Sequence, residues 1–224
     1  MNGRTRVAAG LGASVAVATW FLFDRLGRTW GSTRAERAAR LAGDDVVASP
    51  LVVTDHAATI DAPREQVWPW LVQMGWHRGG WYTARWVDRL LFPANAPSAE
   101  RIVPELQQLR VGDLVPDGPP ESDCNFVVEI LDAPGRLLLH SRSHLPLAWR
   151  ERLGADMDWT WSFALTECGP GRTRFHLRSR VRLAPRWIAL AYRIAIPADF
   201  VMARQMARGL KSRAERERRS AAPR

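Results

Sequence analysis

The side chains able to do chemistry are few and scattered. The chain has five histidines, His56, His77, His140, His144 and His176. His140 and His144 have the i, i+4 spacing by which a helix turns two imidazoles toward one metal ion. Their surroundings read instead as a strand and its exit, where four residues separate side chains by about 13 Å, so no metal site is expected. Cys124 falls at a strand start and Cys168 in a tight turn, neither with a base alongside. Two thiols make neither a disulfide framework nor a four-ligand zinc site. No GxSxG elbow, P-loop or GxGxxG pattern occurs, and Gly79-Gly80 reads as a hinge. What remains is His77, Arg78 and Tyr82 between two short helices, and Arg101 and Glu105 in the stretch SAERIVPE (98–105). A tyrosine proton donor and an arginine that holds an enolate or carboxylate are the parts of a cyclase-type reaction. Tyr82 and Arg101 are therefore the weak catalytic candidates, with Arg101 and Glu105 alternatively tying down a long loop. Nothing calls for a cofactor, and the balance leans away from an enzyme.

These residues must be positioned by a fold with a strong signature. In Asp158–Glu167 the residues Trp159, Trp161, Phe163 and Leu165 alternate with polar or small ones, and in Thr173–Leu183 Phe175, Leu177, Val181 and Leu183 alternate with His176 and four arginines. Period two over both runs predicts a hairpin with one buried face. Since the apolar residues of both runs are odd-numbered, paired numbers must have an even sum. Glu167 then pairs Gly171 or Thr173, and Asp158 lies opposite Arg180 or Arg182. The arginine row reads as a solvated outer face that resists edge-to-edge aggregation. Upstream, Val52–Asp61 suits a strand, Pro63–Met74 a helix kinked at Pro69, Thr83–Phe92 a second helix, and Asn125–Leu131 and Arg136–Ser143 two strands around a Pro-Gly turn. Residues 93–123 are proline-rich loop. The chain closes with a helix on which Phe200, Ala203, Ala207, Leu210 and Ala214 form one apolar stripe, widened by Met202 and Met206. Trp187–Ile196, apolar but broken by Arg193, either lies at a membrane surface or forms the first turns of that helix.

Charge and length set the class. The chain has 224 residues, 46% of them hydrophobic, and 11 tryptophans, which excludes wholesale disorder. Its net charge of +9 is concentrated at the ends: +5 in residues 1–40, +6 in 201–224, and −2 between them. A nucleic-acid binder concentrates positive charge on its folded reading surface, so no nucleic-acid partner is expected. Basic ends suit an anionic membrane surface or solvated tails. Val7–Phe23 is a run of 17 residues without a charge, the short limit for crossing a bilayer. A transmembrane anchor is expected, against a cleaved signal peptide or a helix packed on the domain. Arg4 and Arg6 precede the run, while Arg25, Arg28, Arg34, Arg37 and Arg40 follow it. The positive-inside rule then gives a single-pass membrane protein with a cytoplasmic domain. The expected organisation is an anchor over 1–23, a connector over 24–50, a domain over 51–219 and a tail over 220–224.

The order of a strand, two short helices, antiparallel strands and a long terminal helix is that of an α+β helix-grip domain. The stretch ATIDAPREQVWPWLVQMGWHRGGWYTARWVDRL (58–90) resembles the opening of START-like proteins of the SRPBCC superfamily, which includes polyketide cyclases and lipid-transfer domains. With SAERIVPE, VGD (111–113) and PADFVMARQMARGLKSRAE (197–215), the chain is similar to an uncharacterised bacterial membrane-anchored subgroup. The resemblance implies a cavity between sheet and terminal helix, used for apolar ligands in many members and for chemistry in some. The expected liners are Tyr82, Trp159, Trp161, Phe163, Phe175 and Leu177, with Phe200, Met202 and Met206 from the helix. Patterning does not separate a lined pocket from a filled core. The expected activity is binding, with transfer as an extension, of an apolar small molecule or lipid near the membrane. A cyclase or aromatase-type enzyme is one alternative. A membrane or partner interaction module working through the basic C-terminal tail is another.

Overall fold

The computed structural model describes residues 19–91 and 93–221, and no side chain at 91, 189–199, 220 or 221. Helix α1 covers residues 19–29 and α2 Arg34–Ala38. Strand β1, Val52–Ile60, leads to α3, Arg64–Val72, and α4, Arg85–Leu91. Three strands follow, β2 at Leu114–Pro116, β3 at Asn125–Asp132 and β4 at Arg136–Ser141. A short helix α5, Leu147–Leu153, precedes β5, Asp156–Glu167, and β6, Thr173–Ala184. Helix α6 runs unbroken from Arg186 to Ala221, so the apolar stretch after Trp187 belongs to the terminal helix. The expected anchor lies mostly outside the described residues, at 7–18. Among the described residues no helix is long and apolar enough to cross a membrane.

The six strands form one antiparallel sheet in the order β1-β6-β5-β4-β3-β2. Its centre is the hairpin with the strictest alternation. Trp159 faces Val181, Phe163 faces Leu177, Glu167 faces Thr173 and Asp158 faces Arg182, each pair with an even sum. The odd-numbered residues of β5 and β6 therefore share the face that α6 and α3 cover. α6 packs against β1, β6 and α3, and Met206, Ala207, Leu210 and Ala214 are fully buried beneath its stripe. α3 passes through Pro69 without ending.

The opposite face departs from expectation. Three of the four arginines of β6, Arg174, Arg178 and Arg180, are covered, because residues 31–48 lie across them as a strap, while Arg182 stays partly exposed and pairs with Asp156 at 2.6 Å. Arg174 donates to both Glu36 carboxylate oxygens, at 2.6 and 2.9 Å, and to Gly31 O at 2.6 Å. Arg178, its side chain 4% exposed, donates to the carbonyls of Glu36, Arg37 and Ala39 and to Asp44 Oδ2. Arg180 donates to Val47 O at 3.0 Å and Ser162 Oγ to Ala42 O at 2.8 Å. The segment expected to be a connector is thus packed on the sheet. The reason is local: α2 is a single turn closed by a Thr33–Glu36 capping box, so its last carbonyls are free to accept, and only guanidinium forks on the facing strand reach several at once. Gly31 brings the strap against the β1 edge, where Ala57 N–H donates to Trp30 O at 3.0 Å. A Cβ at Gly31 would overlap the Ala57 carbonyl oxygen.

Candidate functional site

The inner face collects aromatic rings from three strands and one loop. Trp81 meets Trp161 edge to face at 5.3 Å, and Trp161 meets Trp159 at 5.3 Å and Phe163 at 6.0 Å in the same manner. Phe126 of β3 stacks on Trp161 at 5.1 Å, and Phe163 reaches Phe175 at 6.1 Å. Such pairs contribute about 0.5–1.5 kcal/mol each beyond the area they bury. Trp159, Trp161, Phe163, Phe175 and Leu177 are all buried here, with Met202 and Met206 in the same core. Phe200 is the exception. It lies at the β1 edge, 6.4 Å from the His56 ring and under the Arg204 guanidinium, away from the hairpin rings. Trp81 and Phe126 went unnoticed in the sequence, although Phe126 and Val128 repeat the period-two pattern and Trp81 follows the Gly79-Gly80 pair.

The rings pack on one another, so the interior is occupied by the chain's own side chains. One polar atom among them is unmatched. Trp81 is 2% exposed and its Nε1 has no hydrogen-bond acceptor among the described residues, whereas Trp159 Nε1 donates to Ser179 Oγ at 2.7 Å. A buried N–H without an acceptor costs about 1–3 kcal/mol. Trp81 also lines a cavity of about 20 Å³ with Trp76, His77 and Asn95, room for one water and no more.

The two catalytic candidates come out apart. Tyr82 is buried, and its hydroxyl donates to Trp70 O at 2.6 Å. Arg213 lies 4.7 Å over its ring, and burial pushes its phenol well above the ordinary value. A Cβ at Gly209 would overlap the Tyr82 carbonyl oxygen, so α6 closes directly on this loop. Tyr82 is a fastener between α3 and α6 whose proton is already committed. Arg101 is exposed and lines a cleft of about 300 Å³ with Trp70, Glu100 and Arg213, and Tyr82 is not among the lining residues. Arg78 is likewise used structurally, donating to the carbonyls of Val72, Met74 and Leu106.

Two histidine clusters appear that spacing did not foretell. At the end of β4, His144 Nδ1 lies 2.6 Å from Ser141 Oγ and Nε2 lies 3.0 Å from Asp117 Oδ2. The order hydroxyl, imidazole, carboxylate is that of a nucleophilic triad. Ser141, however, is 3% exposed, and its oxygen also accepts the Ser143 N–H at 3.1 Å. The arrangement is a turn that ties the strand exit to β2. On the outer face, the His140 ring sits between Glu129 Oε1 at 3.0 Å and Asp158 Oδ1 at 2.5 Å. Burial pushes the Asp158 carboxyl up, but the His140 hydrogen bond and the charges of His140, Arg142 and Arg182 outweigh it, and the net shift is downward. With both its nitrogens engaged, His140 has none left for a substrate proton. A cleft of about 510 Å³ opens beside it, lined by Leu114, Val127, Arg142 and Arg150 among others. Among the described residues no group of three or more His, Cys, Asp or Glu side chains is arranged to hold a metal ion.

No family model and no curated protein matches the chain. Among solved structures it is similar to norcoclaurine synthase from Thalictrum flavum in complex with dopamine and hydroxybenzaldehyde, at 12% identity over 83% of this chain and 97% of that one, with a TM-score of 0.43. A protein from Mesorhizobium loti is 15% identical over 74% of this chain and 98% of its own, with a TM-score of 0.40. An HSP90 activator from Plasmodium falciparum is 12% identical over 57% and 71%, with a TM-score of 0.33. The architecture itself, an antiparallel sheet closed over a C-terminal helix, stands on the strand order and register of this chain.

Proposed function

We propose that the chain is a non-catalytic binding protein that takes an apolar small molecule or lipid, carrying one hydrogen-bond acceptor, between the inner face of the sheet and α6. Residues 7–23 would hold it at a membrane. The observation that carries this reading is the unmatched Trp81 Nε1 inside a ring of aromatics. An acceptor atom on an otherwise apolar ligand satisfies that donor, while the rings supply area with few rotamers to freeze. Met202 and Met206, on the facing helix, adapt to ligands of varied shape. The resemblance of residues 58–90 to START-like proteins points the same way. Entry would require the rings to part, since they fill the space in this state.

Native mass spectrometry of the full chain, purified in mild detergent, tests the proposal. The expected result is a discrete adduct that dissociates to an apolar compound and is lost in Trp81→Phe. A bare mass, together with a melting temperature unmoved by a total lipid extract, would sink it and assign Trp81 Nε1 to a single water in the adjoining cavity.

A further inference from the structure

α6 spans 36 residues, about 54 Å at the helical rise, and its two ends serve opposite ends of the sheet. Its C-terminal turns lie where β1 finishes and the β5–β6 loop turns, with Arg218 donating to Asp61 O and Gly171 O at 2.8 Å. Its first turn follows β6 directly, at the end where β1 and β5 begin. That second end is apolar. Trp187 is 56% exposed there, and α5, which leads straight into β5, exposes Leu147, at 58%, along with Trp149 and Leu153.

α1 points the same way. His56 Nε2 donates to Gly27 O at 2.6 Å while its ring meets Phe200, and Trp30 lies 5.8 Å from the Arg204 guanidinium. Residues 27 and 30 therefore sit level with 200 and 204, so α1 runs alongside α6 in the same direction. Its first turns run back along α6 toward the apolar end, exposing Phe21, at 66%, with Leu22 and Phe23. Residues 7–18, which precede them, carry no charge, and Arg25, Arg150, Arg152 and Arg186 belong to the same three helices.

We infer that this end of the domain, made of the first turns of α1, α5 and the start of α6, is seated in the interfacial layer of an anionic lipid bilayer. The inference rests on the anchoring proposed for residues 7–23 and extends it to the folded domain. The uncharged segment joins the described chain at residue 19, the start of α1, which brings the bilayer to this side of the domain. Exposed tryptophans suit the headgroup layer, and the arginines of these helices complement anionic lipid. The basic C-terminal turns stand about 50 Å away along α6, so they do not touch the same membrane.

The test uses the full chain with one fluorophore-bearing cysteine. Leu153→Cys and Trp187→Cys are made in a Cys124→Ser/Cys168→Ser background, and a control keeps Cys168, exposed in the β5–β6 turn at the far end, with Cys124→Ser. Each is reconstituted into phosphatidylcholine vesicles containing phosphatidylglycerol, with and without a nitroxide-bearing lipid. The expected result is loss of emission at 153 and 187 and none at 168. Retention of the chain with unquenched labels at 153 and 187, or equal quenching at 168, overturns the seating and leaves the anchor standing. A chain that vesicles do not retain overturns both. Self-quenching of the 153 label between chains in detergent, without lipid, assigns the patch to a second copy and overturns the bilayer. None of these outcomes depends on whether the interior takes a ligand.

Discussion

Arg178 stands directly opposite Asp55 in the β1–β6 ladder, and its Nε donates to Asp55 Oδ1 at 2.8 Å. Asp55 also accepts from His176 Nε2 at 2.8 Å, and the remaining guanidinium nitrogens of Arg178 serve the strap. One buried side chain thus satisfies a carboxylate in the sheet and three carbonyls above it. Arg178→Met is expected to cost about 3–5 kcal/mol, because removing one partner leaves a buried charge and several acceptors unpaired. Arg178→Lys should recover little of this, since an ammonium lacks the planar fork. Urea denaturation of the purified chain measures both. A loss below about 1 kcal/mol, the size of a surface pair, would mean that the strap is only laid on the sheet.

The strap also governs where the chain can be cut. A chain beginning at residue 44 lacks Glu36, Arg37 and Ala39, the acceptors of Arg174 and Arg178. It is expected to melt earlier than one beginning at residue 24 and to aggregate through its uncovered sheet face. Thermal unfolding of the two, side by side, decides this, and equal midpoints would show the strap to be dispensable.

Tyr82→Phe removes a hydroxyl whose only described acceptor is Trp70 O. It is expected to lose about 1–3 kcal/mol by leaving that buried carbonyl unpaired, while Arg101→Ala, at an exposed position, should stay within about 0.5 kcal/mol. Calorimetry of the two variants checks the contrast. The reverse pattern, a stable Tyr82→Phe, would reopen Tyr82 as a working group.

Acid should weaken the fold in two separate stages. Burial holds His56 below its ordinary value of 6.5, outweighing the Gly27 carbonyl that favours its proton. A lowered histidine means that the unfolded chain binds more protons below that value, so stability is full above about pH 6.5 and falls as the pH drops below it. Glu36 is held down to about 2, first by its hydrogen bond from Arg174. Its contribution is complete above 4.5, the ordinary value, and is lost only as the pH falls toward 2. A melting-temperature profile against pH should therefore bend first near 6.5 and again in the carboxylate range. His56→Gln should abolish the first bend alone, and a first bend that survives the substitution would move its origin elsewhere.

Much of the architecture was legible in the chain. The odd-numbered apolar residues of 158–183 dictated the hairpin and its even-sum register, since a one-residue slip would turn Trp159, Trp161 and Phe163 to the outside. The stripe through Ala203, Ala207 and Leu210 likewise dictated which face of the terminal helix is buried. Such periods are local, set by backbone geometry. The short elements β2 and α5 were not legible, because β2 has only three residues and α5 buries none of its seven, so it has no inward face to show a period.

What only the tertiary structure decided are the relationships between distant segments. That Arg174 and Arg178 of β6 are covered depends on acceptors about 140 residues upstream, in a stretch whose composition suits a connector. That Tyr82 is a fastener depends on Trp70 O and on Gly209 admitting its backbone. That Phe200 leaves the aromatic cluster for His56 depends on where β1 meets α6. In each case the residue type names a capability, a donor, a ring or a charge. Which partner meets it is settled by long-range packing, which no local period encodes.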